Sequence, residues 1–180
     1  MKKIEKSIFI ACLACMITAC QTAVAQPPVV PTITKAYSNA EIDKMVKEHF
    51  RSRSMDVNPP ALLKEQLKKD FPNASDIEWE EAANIYEADF EIERMDYKAY
   101  YDSKANLLMC VIDIHESEVP AVGKNTAIAK YPDSDIDKDA KKVYKGTNIY
   151  YVIELEKDRT ERKITLAMDG SIIEEKIKND

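Results

Sequence analysis

An internal repeat constrains the fold of this chain more than any other feature of its sequence. Pro60 and Pro72 recur as Pro120 and Pro132, and the two prolines are 12 residues apart in both copies. Later matches share an offset of 65 residues: Tyr86–Phe90 with Tyr151–Leu155, and Asn106–Leu108 with Ser171–Ile173. A repeat of this length is too long for a solenoid turn and indicates a small α+β unit used in tandem.

Local patterns in the first copy predict one helix followed by four strands. Leu63, Leu67 and Phe71 recur at helical spacing until Pro72 ends the pattern. Residues 86–92 then alternate apolar and acidic side chains, which is typical of a strand with one buried face. The second copy repeats this order, so that the chain is predicted to be α+β with two tandem αββββ units.

A further helix is predicted ahead of the first copy. Ser38 and Glu41 have the spacing of a capping box, and Ile42 begins an apolar stripe at helical spacing. We therefore divide the mature chain into a linker, an N-terminal helix with its connection, a first repeat and a second repeat, at residues 26–37, 38–57, 58–118 and 119–180.

The N-terminal residues predict export. Lys2, Lys3 and Lys6 precede an apolar run of 12 residues from Ile8 to Ala19. This run is too short to span a bilayer comfortably and has the length of a signal-peptide core. Export places the mature protein in the periplasm or cell envelope.

Two processing routes fit these residues. In the first, residues 1–25 form a signal peptide, and the small residues Ala23 and Ala25 define the cleavage site. In the second, residues 1–19 form a lipoprotein signal and Cys20 carries the lipid. A lipid on Cys20 would then be the predicted attachment to the membrane.

The charge of the chain argues against nucleic-acid binding. The formal net charge is −6, and residues 1–25 contribute +2, so that the remainder carries −8. An acidic surface repels the phosphate backbone of nucleic acids and anionic lipid surfaces. A cationic partner or a divalent ion is electrostatically easier, and the sequence leaves the oligomeric state open.

The residues that catalysis requires are sparse. The two histidines, His49 and His115, have no Gly-x-Ser-x-Gly turn near them, and three glycines leave no phosphate-binding loop. Cys110 is the only cysteine beyond the signal, and its apolar neighbours are typical of a small buried side chain. We therefore predict a protein that is not an enzyme and needs no cofactor.

The order of these motifs resembles the PepSY-like, beta-lactamase-inhibitor-like domains that Bacteroidetes export. The resemblance runs from Pro60 to Ile177 and is carried by Phe71–Pro72, Trp79, Tyr86–Phe90 and Asn106–Leu107. It implies that the two units share one antiparallel sheet of about eight strands, with helices on one face and the other face open. The family has no generally established activity, so that the resemblance implies a fold and a compartment.

The open face of this sheet is the predicted binding site. Tyrosine, methionine and aliphatic side chains mixed with carboxylates are typical of a protein-binding surface. Strict alternation assigns to this face Glu87, Asp89, Glu91, Tyr100, Leu107, Met109, Val111, Tyr150 and Val152. A β-bulge would invert the assignment locally, and the N-terminal helix or a second copy of the chain are alternative occupants.

The function predicted from this face is binding. We expect an exported protein that occludes a protein or peptide partner in the cell envelope, with aromatic anchors and with carboxylates that select basic groups. The resemblance suggests that the partner is a secreted hydrolase and that the protein inhibits it.

A run of alternate aspartates gives a second hypothesis. Asp133, Asp135, Asp137 and Asp139 could offer oxygens to calcium, as the first half of an EF-hand loop does. The glycine and the closing glutamate of such a loop are missing, and the solvent side of a strand gives the same pattern. The alternative function is a calcium-responsive periplasmic sensor.

Overall fold

Nine antiparallel strands form one open sheet in the computed structural model, which describes residues 30–158 and 160–178. The strands lie side by side in the order in which the chain forms them, and three α-helices accompany them. The predicted signal peptide, the alternative lipid site at Cys20 and the start of the linker lie outside the described residues.

The first repeat follows an N-terminal helix and a very short strand. The N-terminal helix is α1 Asn39–His49, and the short strand is β1 Met55–Asp56. The first repeat consists of α2 Ala61–Asp70, β2 Ser75–Ala82, β3 Ile85–Ile92, β4 Met95–Asp102 and β5 Leu107–His115. A 3-10 turn leads into the second repeat, whose elements are α3 Ala121–Lys130, β6 Asp135–Lys145, β7 Asn148–Lys157, β8 Thr160–Ala167 and β9 Ile172–Lys178.

The predicted α+β class and the tandem αββββ arrangement in one sheet are confirmed. The sheet has nine strands instead of about eight because β1, only two residues long, pairs with Glu80 and Glu81 of β2. The two repeats join where β5 pairs with β6, from Met109 opposite Lys145 to His115 opposite Asp139. Each repeat therefore completes the sheet of the other.

One face of the sheet is covered by α2 and α3. Leu63 and Leu67 of α2 and Ala127 of α3 are buried against a cluster that includes residues from β3 to β8. Ala88 and Phe90 of β3 are in this cluster, as the alternation of residues 86–92 predicts. Burial of this apolar surface is the main stabilising contribution to such a fold.

The opposite face is partly covered by α1, which forms a second cluster. Ser38 caps the helix, with its Oγ accepting from the Glu41 backbone and the Glu41 carboxylate accepting from the Ser38 backbone, as predicted. Ile42 and Val46 are 0% and 5% exposed and pack with Leu108 of β5. The helix therefore occupies part of the face that the sequence was expected to leave open.

Among the described residues, Cys110 is a free thiol within the larger cluster, and no helix has the length and apolar character that a membrane crossing requires. Burial raises the pKa of the Cys110 thiol, because the thiolate loses its hydration. Cys110 is therefore a core side chain.

The turn between β8 and β9 requires glycine. Gly170 has a φ of +84°, and an added Cβ would lie 2.9 Å from Val122 Cγ2 and 3.0 Å from the Gly123 nitrogen of α3. We expect Gly170→Ala to lower the free energy of unfolding by about 1–3 kcal/mol, since left-handed backbone is strained in alanine. Urea denaturation followed by circular dichroism measures this loss.

Met168→Ala is the matched control in the same turn. Its side chain is 56% exposed, so that we expect its free energy of unfolding to change by less than about 0.5 kcal/mol. Equal stabilities for Gly170→Ala and Met168→Ala would contradict the close contact between α3 and the turn.

Candidate functional site

The open face is defined here as the side of the sheet opposite α2 and α3. It has a part covered by α1, over β3 to β5, and a part that α1 leaves in solvent. The uncovered part forms a shallow concavity of 430 Å³, which we call the exposed groove. Its lining includes Phe50 at the end of α1 and side chains of β5 to β9.

Polar contacts fix the N-terminal half of α1 and the segment before it. Tyr37 donates a hydrogen bond of 2.7 Å from its hydroxyl to Asp102 Oδ2. Asn39 Oδ1 accepts from the backbone nitrogen of Thr147 at 3.0 Å, and Asp43 pairs with Lys145 Nζ at 2.7 Å. The helix is thereby tied to both repeats.

Asp102 organises the β4–β5 turn to which Tyr37 binds. Its Oδ1 accepts from the backbone nitrogens of Lys104 and Asn106, at 2.9 and 2.8 Å. Burial opposes ionisation of this carboxyl, but the hydrogen bonds from Asn106, Tyr37 and Lys104 outweigh it and hold its pKa below the usual value. The turn therefore uses its carboxylate to fix the backbone.

His49 fixes the C-terminal end of α1. The side chain is 3% exposed, with Nε2 at 3.0 Å from Glu87 Oε2 and Nδ1 at 3.2 Å from the Ala82 carbonyl. Because a carboxylate and a carbonyl only accept, both ring nitrogens are satisfied when both carry a proton. The hydrogen bond to Glu87 raises the pKa of His49 against the opposing effect of burial.

Glu87 is the centre of a small ion network beneath α1. Lys98 Nζ lies 3.2 Å from its Oε1 and also pairs with Asp89. Burial opposes the ionisation of Glu87, but His49 and Lys98 outweigh it and lower its pKa. Glu87 and Asp89 are therefore engaged within the protein, whereas Glu91 is exposed.

One tyrosine and one methionine of the predicted face lie under α1. Tyr100 and Met109 are 2% and 4% exposed and belong to the α1 cluster. The Tyr100 ring also makes edge contacts with His49 and Phe50. These two residues therefore contact the N-terminal helix, which was the alternative occupant of this face.

The assignment of Leu107 to the open face is wrong. The register between β4 and β5 shifts after Tyr100, which lies opposite Met109, whereas Tyr101 lies opposite Leu107. Leu108 is the extra residue of this irregularity, and it points toward α1 while Leu107 is buried in the cluster under α2 and α3. A bulge of one residue is sufficient to exchange the two faces.

The remaining predicted residues, Val111, Tyr150 and Val152, line the exposed groove, and Met109 lies at its border with α1. Val143 of β6 and Thr165 of β8 complete its floor. Val143 was not predicted, although Ala140 and Tyr144 on the opposite side of β6 place it on the open face by alternation.

Lysines paired with carboxylates surround this floor. Lys141 Nζ lies 2.6 Å from Asp113, and Lys163 Nζ lies 3.2 Å from Glu154. Lys176 Nζ lies 3.2 Å from Glu174, and Lys145 Nζ lies 2.7 Å from Asp43. Each of these pairs is at least partly solvated, so that its contribution to stability is small. Carboxylates alone were predicted to supply the charge of this face, and the lysines were not predicted.

The aspartate run does not form a metal centre. Asp133 precedes β6 and pairs with Lys157 at 3.6 Å, while Asp137 accepts from the backbone nitrogen of Asp139 at 2.9 Å. Asp135 lies in β6 opposite Glu156. Within the part of the chain that the structure describes, no three His, Cys, Asp or Glu side chains converge to hold an ion. Asp133 lies ahead of β6, and Asp137 and Asp139 lie where the pairing of β6 with β7 is irregular, so that the four carboxylates do not follow one loop as in an EF-hand.

Comparison with known proteins relates this fold to solved structures of Bacteroides proteins. The chain matches no family model and no curated protein. A DUF2874 family protein from Bacteroides uniformis is 25% identical with a TM-score of 0.61, and the match covers 67% of this chain and 90% of that one. A BLIP-like protein from Bacteroides fragilis is 21% identical with a TM-score of 0.60, covering 69% and 89%.

A proposed periplasmic protein from Bacteroides eggerthii is 22% identical with a TM-score of 0.61, covering 67% of this chain and 90% of that one. The resemblance inferred from the motifs is therefore confirmed as a structural likeness over most of the chain.

The His49–Glu87 contact predicts a pH dependence of stability. Because the folded pKa of His49 is raised, its contribution is complete below about pH 6.5, the usual histidine value, and is lost as the pH rises through the folded pKa. We expect His49→Gln to lower the free energy of unfolding at pH 6 by about 1.5–3 kcal/mol, as for a hydrogen bond to a charged group. The difference should shrink at pH 9.

Urea denaturation of both proteins at pH 6 and pH 9 measures this difference. His115→Gln removes the other histidine, which is exposed, and the pH dependence assigned to His49 should survive that change. If His49→Gln lowers the free energy of unfolding by the same amount at the two pH values, the contact does not involve an imidazolium.

Proposed function

We propose that this protein is a non-enzymatic binding protein of the periplasm or cell envelope, and that its exposed groove receives a protein or peptide partner. The observation that carries the proposal is the apolar floor of the groove, formed by Val111, Val143, Tyr150 and Val152. An apolar floor inside a charged rim is the arrangement found at protein-binding surfaces.

The position of α1 supports this location for the partner. The helix buries Tyr100, Leu108 and Met109, which would otherwise extend the apolar surface, and stops at Phe50. Phe50 is 62% exposed and stands at the border of the groove. An exposed aromatic side chain next to a concave apolar floor is a suitable anchor for a partner.

The charges of the rim favour a partner that contributes acidic groups. Lys141, Lys145, Lys163 and Lys176 surround the floor, and each is paired with a carboxylate that is at least partly exposed to solvent. An acidic side chain of a partner can replace such a carboxylate at little cost, because exposed ion pairs are weak. This revises the expectation that carboxylates of the face select a basic partner.

The class of partner that we propose is a secreted hydrolase, which the protein would inhibit by steric occlusion. The structural likeness to a BLIP-like protein supports this choice. The engaged state of His49 and the burial of Cys110 support a role without catalysis, since neither is available as a base or nucleophile.

Tyr150 is the groove residue whose removal tests the proposal. Its ring lies under Lys145 Nζ at 5.3 Å and its side chain is half-buried. We expect Tyr150→Ala to weaken partner binding about 30-fold, the effect of losing an aromatic anchor worth ~2 kcal/mol. The partner is first captured from envelope extract and identified, and its affinity is then measured with purified proteins by calorimetry.

Leu62→Ala is the matched control, because Leu62 is 52% exposed on α2, away from the groove. Its affinity should equal that of the wild type, and inhibition of an identified hydrolase should fall in parallel with binding for Tyr150→Ala. A loss with Leu62→Ala and none with Tyr150→Ala would place the binding surface elsewhere.

A further inference from the structure

A second concavity lies between α2 and β2, outside the open face. Its volume is 530 Å³, within the range of about 300–1,000 Å³ typical of small-molecule sites. The floor is apolar and includes Leu67, Phe71, Ala74, Ile77 and Trp79. We call it the α2 groove.

The α2 groove exists because the first repeat lies at the end of the sheet. The outer side of β2 has only β1 beside it, which pairs with Glu80 and Glu81 and leaves the beginning of β2 uncovered. In the second repeat, β5 pairs with the corresponding strand β6 only from Asp139 to Lys145, and the 3-10 turn Glu116–Glu118 that follows β5 also contacts β6. Ile77 is consequently 43% exposed, and Trp79 is half-buried.

The charged residues of the α2 groove are both cations. Lys64 and Lys68 are in its lining, which contains no carboxylate, although the chain has a formal net charge of −6. Lys64 Nζ donates to Asn58 Oδ1 at 2.6 Å, and Lys68 has no ion pair among the described residues. The lining is therefore complementary to a ligand with an apolar body and a negative head.

The strand beside the groove is unsuited to pairing with a peptide. The register of β2 shifts between Ser75 and Glu78, and Asp76 has a φ of +52°. Bulges of this kind twist an edge and discourage the addition of another strand. The apolar floor and the lysines thus favour a small ligand over an extended peptide.

We propose that the α2 groove binds an alkyl carboxylate such as a fatty acid. The alkyl chain of the ligand lies on the floor against Trp79, Phe71 and Ile77, and its carboxylate contacts Lys64 and Lys68. Burial of the alkyl chain supplies the affinity, and the two ammonium groups set the preference for an anion. This site is separate from the exposed groove and does not depend on the proposed inhibitor role.

The single tryptophan of the chain reports on this site directly, since Trp79 lines the groove. The mature protein is titrated with dodecanoate below its micelle concentration while the emission of Trp79 is recorded. We expect a saturable blue shift with one ligand bound per chain. Dodecanol and dodecylammonium, which share the chain length and lack the negative charge, should bind about tenfold more weakly or worse.

Charge reversal supplies the second arm of the test. Lys64→Glu combined with Lys68→Glu should weaken dodecanoate binding at least about tenfold. Lys69→Glu is the matched control, because Lys69 is on the same helix but outside the lining of the groove. Circular dichroism establishes that each variant is folded, and its affinity is compared only if it is.

Three outcomes would overturn the proposal. The first is a Trp79 emission that dodecanoate leaves unchanged at saturating concentration. The second is equal affinity for dodecylammonium, and the third is an equal loss of affinity with Lys69→Glu. An alternating apolar and acidic peptide that shifts Trp79 when dodecanoate does not would replace the fatty acid by a peptide ligand.

Discussion

The hydrogen-bonded ladder between β5 and β6 is the constraint on which the rest of the structure depends. It joins the two repeats in one sheet, so that Ile112 and Ile114 of the first are buried in the same core as Ala140 and Tyr144 of the second. A single repeat of this size would bury a smaller fraction of its surface and would be only marginally stable alone. Because β5 and β6 pair with each other, the free edges of the sheet are the outer sides of β1 and β9.

Position in the sheet makes two similar units functionally unequal. In the first repeat, α1 seals the open face through Ile42 and Val46, while the incomplete cover of β2 by β1 leaves an apolar concavity beside α2. In the second repeat, β5 pairs with β6 from Asp139 to Lys145, the turn Glu116–Glu118 also contacts β6, and the open face stays in solvent. The two concavities proposed as binding sites therefore arise from the way the repeats are joined.

The features that depend on local periodicity could be predicted from the sequence, and the others could not. Alternation places Ala88 and Phe90 correctly because a strand has an exact period of two. It fails at Leu107, where one extra residue exchanges the faces. The apolar stripe of α1 predicts a helix, but the choice of sheet face depends on distant partners such as Glu87 for His49 and Asp102 for Tyr37.

The central claim is that α1 seals one part of the open face and leaves the other part free for a partner. Oxidation of methionines by dilute peroxide, followed by peptide mass spectrometry, tests the seal directly. Met109 lies under the helix and is 4% exposed, whereas Met55 and Met168 are 65% and 56% exposed. The account predicts rapid oxidation of Met55 and Met168 in the native protein, with Met109 protected until the chain unfolds. Oxidation of Met109 at the rate of Met55 would contradict it.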